Sequence, residues 1–252
     1  MSIRDDWPRQ YGRRVLKEID STNAEAMRIA RATTRPEWIL ALRQNSGRGR
    51  RGRAWAAPEG NFSATLLLHL NESPGNAALR SFVASLALFD AVAEITGRID
   101  GLSLKWPNDL LLNGGKLAGI LLESAGTGGN LMRVAIGIGV NLFAVPRADE
   151  VEERSLEPVS LMSQTGISIS PEDFLDALAP AYARHERQFA RYGFDPARTA
   201  WLNHAARLGE VITARTGGDE ITGRFETVDK SGNLVLLTSE RRHSIPAAEI
   251  FF

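Results

Sequence analysis

Gly47-Arg48-Gly49-Arg50-Arg51-Gly52-Arg53-Ala54-Trp55 follows an apolar, strand-like run from Trp38 to Gln44. Its four arginines fall within six residues, in a chain whose Lys+Arg and Asp+Glu both total 30. A chain of zero formal net charge that gathers guanidinium on one glycine-punctuated loop is equipped to hold a small, densely anionic ligand. Glycine lets the backbone approach such a ligand, and arginine presents forked donors that match carboxylate and phosphate oxygens. The rival readings of a basic cluster are nucleic acid or a solvated face. A nucleic-acid surface would be wider and would raise the pI, which is about 6.9. Trp55 is also a single aromatic, not an interleaved stacking platform.

Working outward, Thr22-Asn23-Ala24-Glu25 has capping-box spacing with Ser21 before it. Ser21, Thr22 and Asn23 are therefore either helix-start residues or ligand contacts. Asn61 to Leu70 is expected to be a buried strand, and Pro74-Gly75 breaks the chain. Ala77 to Thr96 is expected to be helical, with Phe82, Val83, Leu86 and Phe89 facing the core. Strands follow at Leu102–Trp106, Leu110–Leu112 and Lys116–Glu123, the last two joined by a hairpin turn at Asn113-Gly114-Gly115. Arg133 to Phe143 is a further strand, interrupted by Gly137 and Gly139; glycines inside strands mark places where a ligand lies against the backbone. Ser170-Pro171-Glu172-Asp173 opens a helix to about Tyr192, with another from Asp195 to Ala205. From about Gly209, short alternating stretches separated by Gly217-Gly218 and Ser231-Gly232 read as a small all-β module of about 45 residues.

Lys105-Trp106-Pro107-Asn108-Asp109 presents charged and amide side chains where a strand meets a proline. Asn108 can read a nucleotide or an amide, and Asp109 can hold Mg²⁺ or accept a proton. The same residues are ordinary turn chemistry. Lys116 opens an apolar strand, as either a solvated edge residue or a cation aimed into a pocket, and Gly119 leaves room nearby. The chain has no cysteine, which excludes disulfides and thiolate metal sites and fits a reducing cytosol. Met1 to Asp6 lacks the apolar stretch of a signal peptide, and no run approaches the roughly 18 apolar residues of a membrane span. His69, His185, His204 and His243 show no metal-ligand spacing.

In this order, Ser21-Thr22-Asn23, Gln44 with the arginine loop and Trp55, Lys105 to Asp109, Gly115-Lys116-Leu117-Ala118-Gly119, and Gly137-Ile138-Gly139-Val140-Asn141 resemble a biotin–protein ligase of the biotin–[acetyl-CoA-carboxylase] ligase type. The resemblance runs from about Ile19 to the C-terminus. It implies an α+β fold: a class II synthetase-like catalytic domain over 1–206, with a mixed β-sheet and flanking helices, and a small C-terminal SH3-like β-barrel over 207–252. It implies activation of biotin with MgATP to biotinyl-5′-AMP, then transfer to a lysine of a biotin carboxyl carrier domain, acetyl-CoA carboxylase first among the candidates. Arg48, Arg50 and Lys116 would meet carboxylate and phosphate, with Asp109 the partner of the incoming amine. Ser21, Thr22, Asn23, Gln44, Gly47, Gly49, Gly119, Gly137 and Gly139 would complete the biotin pocket. Arg51, Arg53, Trp55, Asn108 and Asn141 would lie, with Arg50 and Asp109, on the nucleotide side. The residues holding Mg²⁺ are not assigned. The arginine loop is expected to be mobile without ligand and clamped by the adenylate. The stretch before Ser21 is too short for a DNA-binding domain, so a monofunctional cytoplasmic ligase is expected, as monomer or homodimer. Glu249-Ile250-Phe251-Phe252 matches no site. A lipoate–protein ligase and a non-catalytic biotin-binding protein are the rival readings.

Overall fold

A computed structural model describes residues 7–126, 131–147, 156–217 and 219–252. The amino-terminal stretch Met1–Asp6 and Gly218 of the expected Gly217-Gly218 turn lie outside the described residues.

Seven strands form the main sheet: β1 (Gly12–Leu16), β2 (Glu37–Ala41), β3 (Phe62–Asn71), β4 (Leu102–Lys105), β5 (Asp109–Leu112), β6 (Gly115–Gly126) and β7 (Leu131–Val140). Their order is β1-β2-β3-β7-β6-β5-β4. The β1–β2 pair is parallel and the others are antiparallel, so the sheet is mixed. Side-chain alternation divides its two faces. Trp38 and Leu40, Phe62 to Leu68 at every second position, and Val134 to Val140 likewise enter the large core. The intervening Ile39, Leu67 and Ala135 enter a small separate cluster with Ala26 and Ala30. Both faces are thus covered, which is why these strands read as continuous apolar runs.

The helix over the small cluster is α1 (Thr22–Ile29). The large core is roofed by α2 (Pro74–Ala78), α3 (Arg80–Thr96), α4 (Leu161–Thr165), α5 (Pro171–Tyr192) and α6 (Phe194–Asn203). The α5 limits match the expectation, and Phe82, Val83, Leu86 and Phe89 are buried as expected. Three local readings are corrected. The cap of α1 is Ser21, whose hydroxyl accepts from Ala24 N–H; Glu25 is no capping-box partner and pairs instead with Arg28. Pro74 does not merely break the chain: capped by Ser73, it opens α2, and Leu79 separates α2 from α3. The strand expected to reach Trp106 ends at Lys105, before a cis Trp106–Pro107 peptide. The sequence reading placed neither β1 (GRRVL) nor the one-turn α4.

The C-terminal unit is an antiparallel sheet of β8 (Val211–Thr216), β9 (Asp219–Val228), β10 (Leu234–Leu237), β11 (Arg242–Ile245) and β12 (Glu249–Phe251), ordered β11-β10-β9-β8-β12. Among the described residues no ladder joins β11 to β12, so pairing does not close the expected barrel. The unit shares the main core: Phe225 and Leu234 belong to the same cluster as Leu104 and Trp201. Trp106 donates its indole N–H to Gly232 O (3.0 Å), and Arg198 Nε donates to Val228 O (2.6 Å). No helix of the described residues is long and apolar enough to cross a membrane.

Candidate active site

One transverse row of the main sheet forms the floor of the site. Ser63 on β3 pairs with Gly139 on β7, which pairs with Gly119 on β6; Gly119 pairs with Asp109 on β5, and Asp109 with Lys105 on β4. The two central positions lack side chains, so the floor is sunken where the flanking polar groups converge. Lys116 reaches this row by a backbone irregularity. The β5–β6 register shifts between Leu110 and Leu111, so that Leu110 faces Ala118 and Leu111 faces Lys116. Leu117 and Ala118, adjacent in sequence, both enter the core. Such a bulge re-aims the next side chain, and Lys116 Nζ stands 2.9 Å from Asp109 Oδ1. That contact is an ion pair without hydrogen-bond alignment, since the same buried oxygen has no hydrogen-bond partner.

At the α1 end, a small cavity of about 40 Å³ is lined by Ser21, Thr22, Asn23, Gln44, Arg48, Trp55, Ser63, Gly119, Gly137, Ile138 and Gly139. Gln44 Oε1 accepts from Thr22 N–H (2.9 Å) and from its hydroxyl (3.2 Å). Asn23 is pinned by three hydrogen bonds: Oδ1 accepts from Thr65 Oγ1 (2.6 Å), while Nδ2 donates to Glu123 Oε2 (2.7 Å) and Leu121 O (3.3 Å). Its amide fills the space over Gly137, where a Cβ would come within 2.3 Å of Asn23 Oδ1. The Ser63 hydroxyl is buried without a partner. It is an offer of hydrogen bonding to a ligand that a lone serine in an apolar strand did not advertise.

The arginine loop is a short hairpin. Arg48 and Ala54 form a bridge; Gly49 N–H donates to Arg53 O (2.7 Å) and Trp55 N–H to Gly47 O (2.9 Å). The tip is a single turn, Arg50–Gly52, with Arg51 and Gly52 at φ 58° and 75°. Gly47 is required sterically, since a Cβ there would meet Gln44 Nε2 at 2.4 Å and Trp55 O at 2.5 Å. The arginines diverge. Arg48 turns to the small cavity and pairs with Glu123 (3.3 Å). Arg50 donates to Asn108 Oδ1 (3.3 Å) and Ala248 O (3.4 Å). Arg51 (3.2 Å) and Arg53 both pair with Glu249 on β12. The sequence suggested like charges that need a ligand to order them. The fold places carboxylates from β6 and β12, distant in sequence, beside Arg48, Arg51 and Arg53.

The larger cleft, about 180 Å³, is lined by the hairpin tip, Trp55, Lys105 to Asp109, Lys116, Gly119, and Ala248 to Phe251. Burial depresses the Lys105 ammonium, with Asp109 and Glu249 opposing the shift and Lys116 and Arg50 reinforcing it. Burial likewise lowers Arg50, with Asp109 opposing. Cations held in this way favour an incoming anion. Asn108 is also structural, its amide donating to Ile120 O (2.6 Å). Asn141 lines neither cavity: it is buried and donates to Val159 O (3.2 Å). Trp55 lines both cavities and divides them. Its indole lies over Gly119 and Gly139, whose Cβ positions stand 3.1 Å and 2.4 Å from it. Glu123, Glu249 and Ser63 stand at the candidate site without having been selected from the sequence, and Lys105, quoted with its block but given no role, lines the larger cleft.

Two family models match the chain. Residues 12–141 match the biotin/lipoate A/B protein ligase family, and residues 208–252 match the biotin protein ligase C terminal domain. The chain is 53% identical over 238 residues to a biotin–[acetyl-CoA-carboxylase] ligase of Paracoccus denitrificans, covering 94% of this chain and 99% of that one. It is 29% identical over 223 residues to the bifunctional ligase/repressor BirA of Escherichia coli, covering 88% of this chain and 68% of that one. Among solved structures, the biotin protein ligase from Aquifex aeolicus in complex with biotin and ATP superposes with a TM-score of 0.80 at 27% identity, covering 95% of this chain and 97% of that one. With two model matches in the expected order and a relative matched almost end to end, the chain belongs to the biotin/lipoate A/B protein ligase family.

Proposed function

We propose that this chain is a biotin–protein ligase that joins biotin to ATP as biotinyl-5′-AMP, releases pyrophosphate, and passes biotin to a carrier lysine. The single observation that carries the reading is the shared floor. A neutral hydrogen-bonding cavity and a cationic cleft open onto one glycine row, separated only by the Trp55 indole. A ligand with a ureido head and a carboxylate tail spans such a site. Thr22, Gln44 and the unpartnered Ser63 hydroxyl would read the head; Arg48, Arg50 and Lys116 would hold the carboxylate and α-phosphate. The space of about 40 Å³ holds only a few waters, so a bicyclic ring needs the indole to leave Gly139, freeing it to pack on adenine. Asn23 and Gly137 contribute by shape and Asn141 by holding the end of β7.

In the first step a carboxylate oxygen attacks the α-phosphorus as the bond to pyrophosphate breaks. Two anions must be brought together, and fixed cations reduce their repulsion and stabilise charge in the transition state. Among the described residues no cluster of acids or histidines could hold a metal ion alone. Asp109 and Glu249 are the acids lining the cleft; they would face Mg²⁺ carried on the phosphates, which would neutralise part of the phosphate charge. In the second step the carrier amine attacks the acyl carbon and AMP leaves, Asp109 orienting the amine or taking its proton. The reading extends to a division of labour near residues 206 and 207, an acetyl-CoA carboxylase carrier as acceptor, and a cytoplasmic monomer or homodimer without a DNA role. The balanced charge supports the absence of a DNA role, and the lack of cysteine fits a reducing compartment. The test is incubation with MgATP, labelled biotin and a carrier domain. Label on one carrier lysine is expected. Transfer of lipoate in its place would move the chain to the sister activity, and biotin binding without pyrophosphate release would make it a non-catalytic binder.

A further inference from the structure

Glu249 is an acid at the wall of a cleft that otherwise gathers cations. Its side chain is only 15% exposed, pairs with Arg51 (3.2 Å) and Arg53, and has Arg215 at 3.9 Å, its register partner on β8. It lines the same cleft as Arg50, Lys105 and Lys116. A fixed carboxylate there repels a triphosphate, at a strength that low local dielectric increases. It also occupies two guanidiniums whose fork geometry suits phosphate oxygens. One arrangement makes use of both facts. Resting on the ligase reading above, we propose that Glu249 is an exchangeable counterion of the arginine hairpin, acting as a positioning residue. It holds Arg51 and Arg53 while the cleft lacks phosphates. It yields them to the β- and γ-phosphates when ATP enters. It takes them back when the bond between the α-phosphorus and pyrophosphate has broken and pyrophosphate has left. The hairpin is then held shut by the protein's own carboxylate during the interval in which the acyl-adenylate waits for its amine. A structural ion pair that persisted throughout would act on both half-reactions in the same direction; an exchangeable one acts on them in opposite directions.

The experiment uses the full chain with Glu249→Gln and Glu249→Asp, their folding checked by thermal melting. Biotin-dependent ATP–pyrophosphate exchange gives the KM of ATP and pyrophosphate. Single-turnover reactions give the ratio of hydrolysed or released adenylate to biotin transferred to a carrier. The Gln variant is expected to lower both KM values about three- to tenfold and to raise the loss ratio by a similar factor, the scale of one half-exposed ion pair. The Asp variant should move both quantities the same way by less. Parallel losses in both half-reactions, or no change, would overturn the proposal. If neither variant folds, crystals of the wild-type chain decide. With MgATP or pyrophosphate the Glu249 contacts to Arg51 and Arg53 should open beyond ion-pair distance, and with biotinyl-AMP alone they should be restored; contacts unchanged in both would overturn it. Absence of any biotin-dependent exchange by the wild-type chain refutes the ligase reading itself and is separable from both results.

Discussion

Lys116 depends on the backbone around it for its role. As a lysine opening an apolar strand it is equally a solvated edge residue, and nothing in the local sequence decides between the two. The decision is made by the bulge opposite Leu110 and Leu111, which buries Leu117 and Ala118 together and turns Lys116 to Asp109. Asp109 faces the converse question. It stands between Lys116 and Lys105, at the end of the glycine row, and its carboxylate weighs on both Lys105 and Arg50. That setting places it where an incoming amine can be oriented or deprotonated. Asp109→Asn keeps the shape and removes the charge. We expect adenylate formation to persist within about tenfold, because the loop cations remain. Transfer of biotin from purified biotinyl-5′-AMP to a carrier should fall by about 10²- to 10⁴-fold, the usual worth of a positioned proton acceptor. Quenched-flow measurement of each half-reaction separates the two. Normal transfer by this variant would remove Asp109 from the second step.

At the scale of the element, strand β7 was legible as a strand, and its two glycines were legible as places of close approach. What approaches them was not. Over Gly137 lies a buried amide, Asn23, pinned by Thr65, Glu123 and Leu121. Over Gly139 lies the indole of Trp55, borne by the arginine hairpin. Two substitutions that look alike in the sequence should therefore fail differently. Gly137→Ala drives a methyl into a neighbour that cannot yield, and should lower unfolding free energy by about 1–3 kcal/mol. Gly139→Ala meets a side chain that can rotate away, so stability should fall by less than about 1 kcal/mol. The biotin KM should rise about tenfold or more, since the methyl stands where the ligand would lie. Denaturant titration beside steady-state kinetics distinguishes them, and equal stability losses would contradict this account of β7. The same element-scale reasoning explains the hairpin. Its glycines and arginines are local information, but its counterions on β6 and β12 arrive only through tertiary pairing.

Across the whole molecule, the order of an α+β unit followed by a β module was written in the periodicity: α3, α5 and the paired strands from Leu102 to Glu123 stand close to where their patterns put them. The sequence was silent on how firmly the two parts are joined. No linker composition separates them, and the structure gives the reason. Leu104 N–H donates to His204 O and Leu104 O accepts from Ala206 N–H, both at 2.8 Å, so the segment leading to β8 is stitched to β4. The β9–β10 turn then presses onto α3. Gly232 sits at φ 83°, its carbonyl held by the Trp106 indole, and a Cβ there would stand 3.0 Å from both Leu79 and Phe82. Because Phe225 and Leu234 lie in the same cluster as Leu104 and Trp201, the C-terminal sheet should not unfold on its own. Denaturation followed by circular dichroism and by tryptophan fluorescence should give one coincident transition. Gly232→Val places a β-branched residue in the left-handed region and crowds the α3 contact, costing about 2–4 kcal/mol by strain and overpacking together. Cooperative coupling means that this loss should shift the entire transition rather than split it. It should also raise the KM of ATP more than that of biotin, because Trp106 leads directly into Asn108 and Asp109, whereas Thr22 and Gln44 lie at the far end of the floor. A variant that melts in two steps, or one that impairs biotin and ATP equally, would mean that the C-terminal sheet is an appended module rather than a wall of the nucleotide cleft.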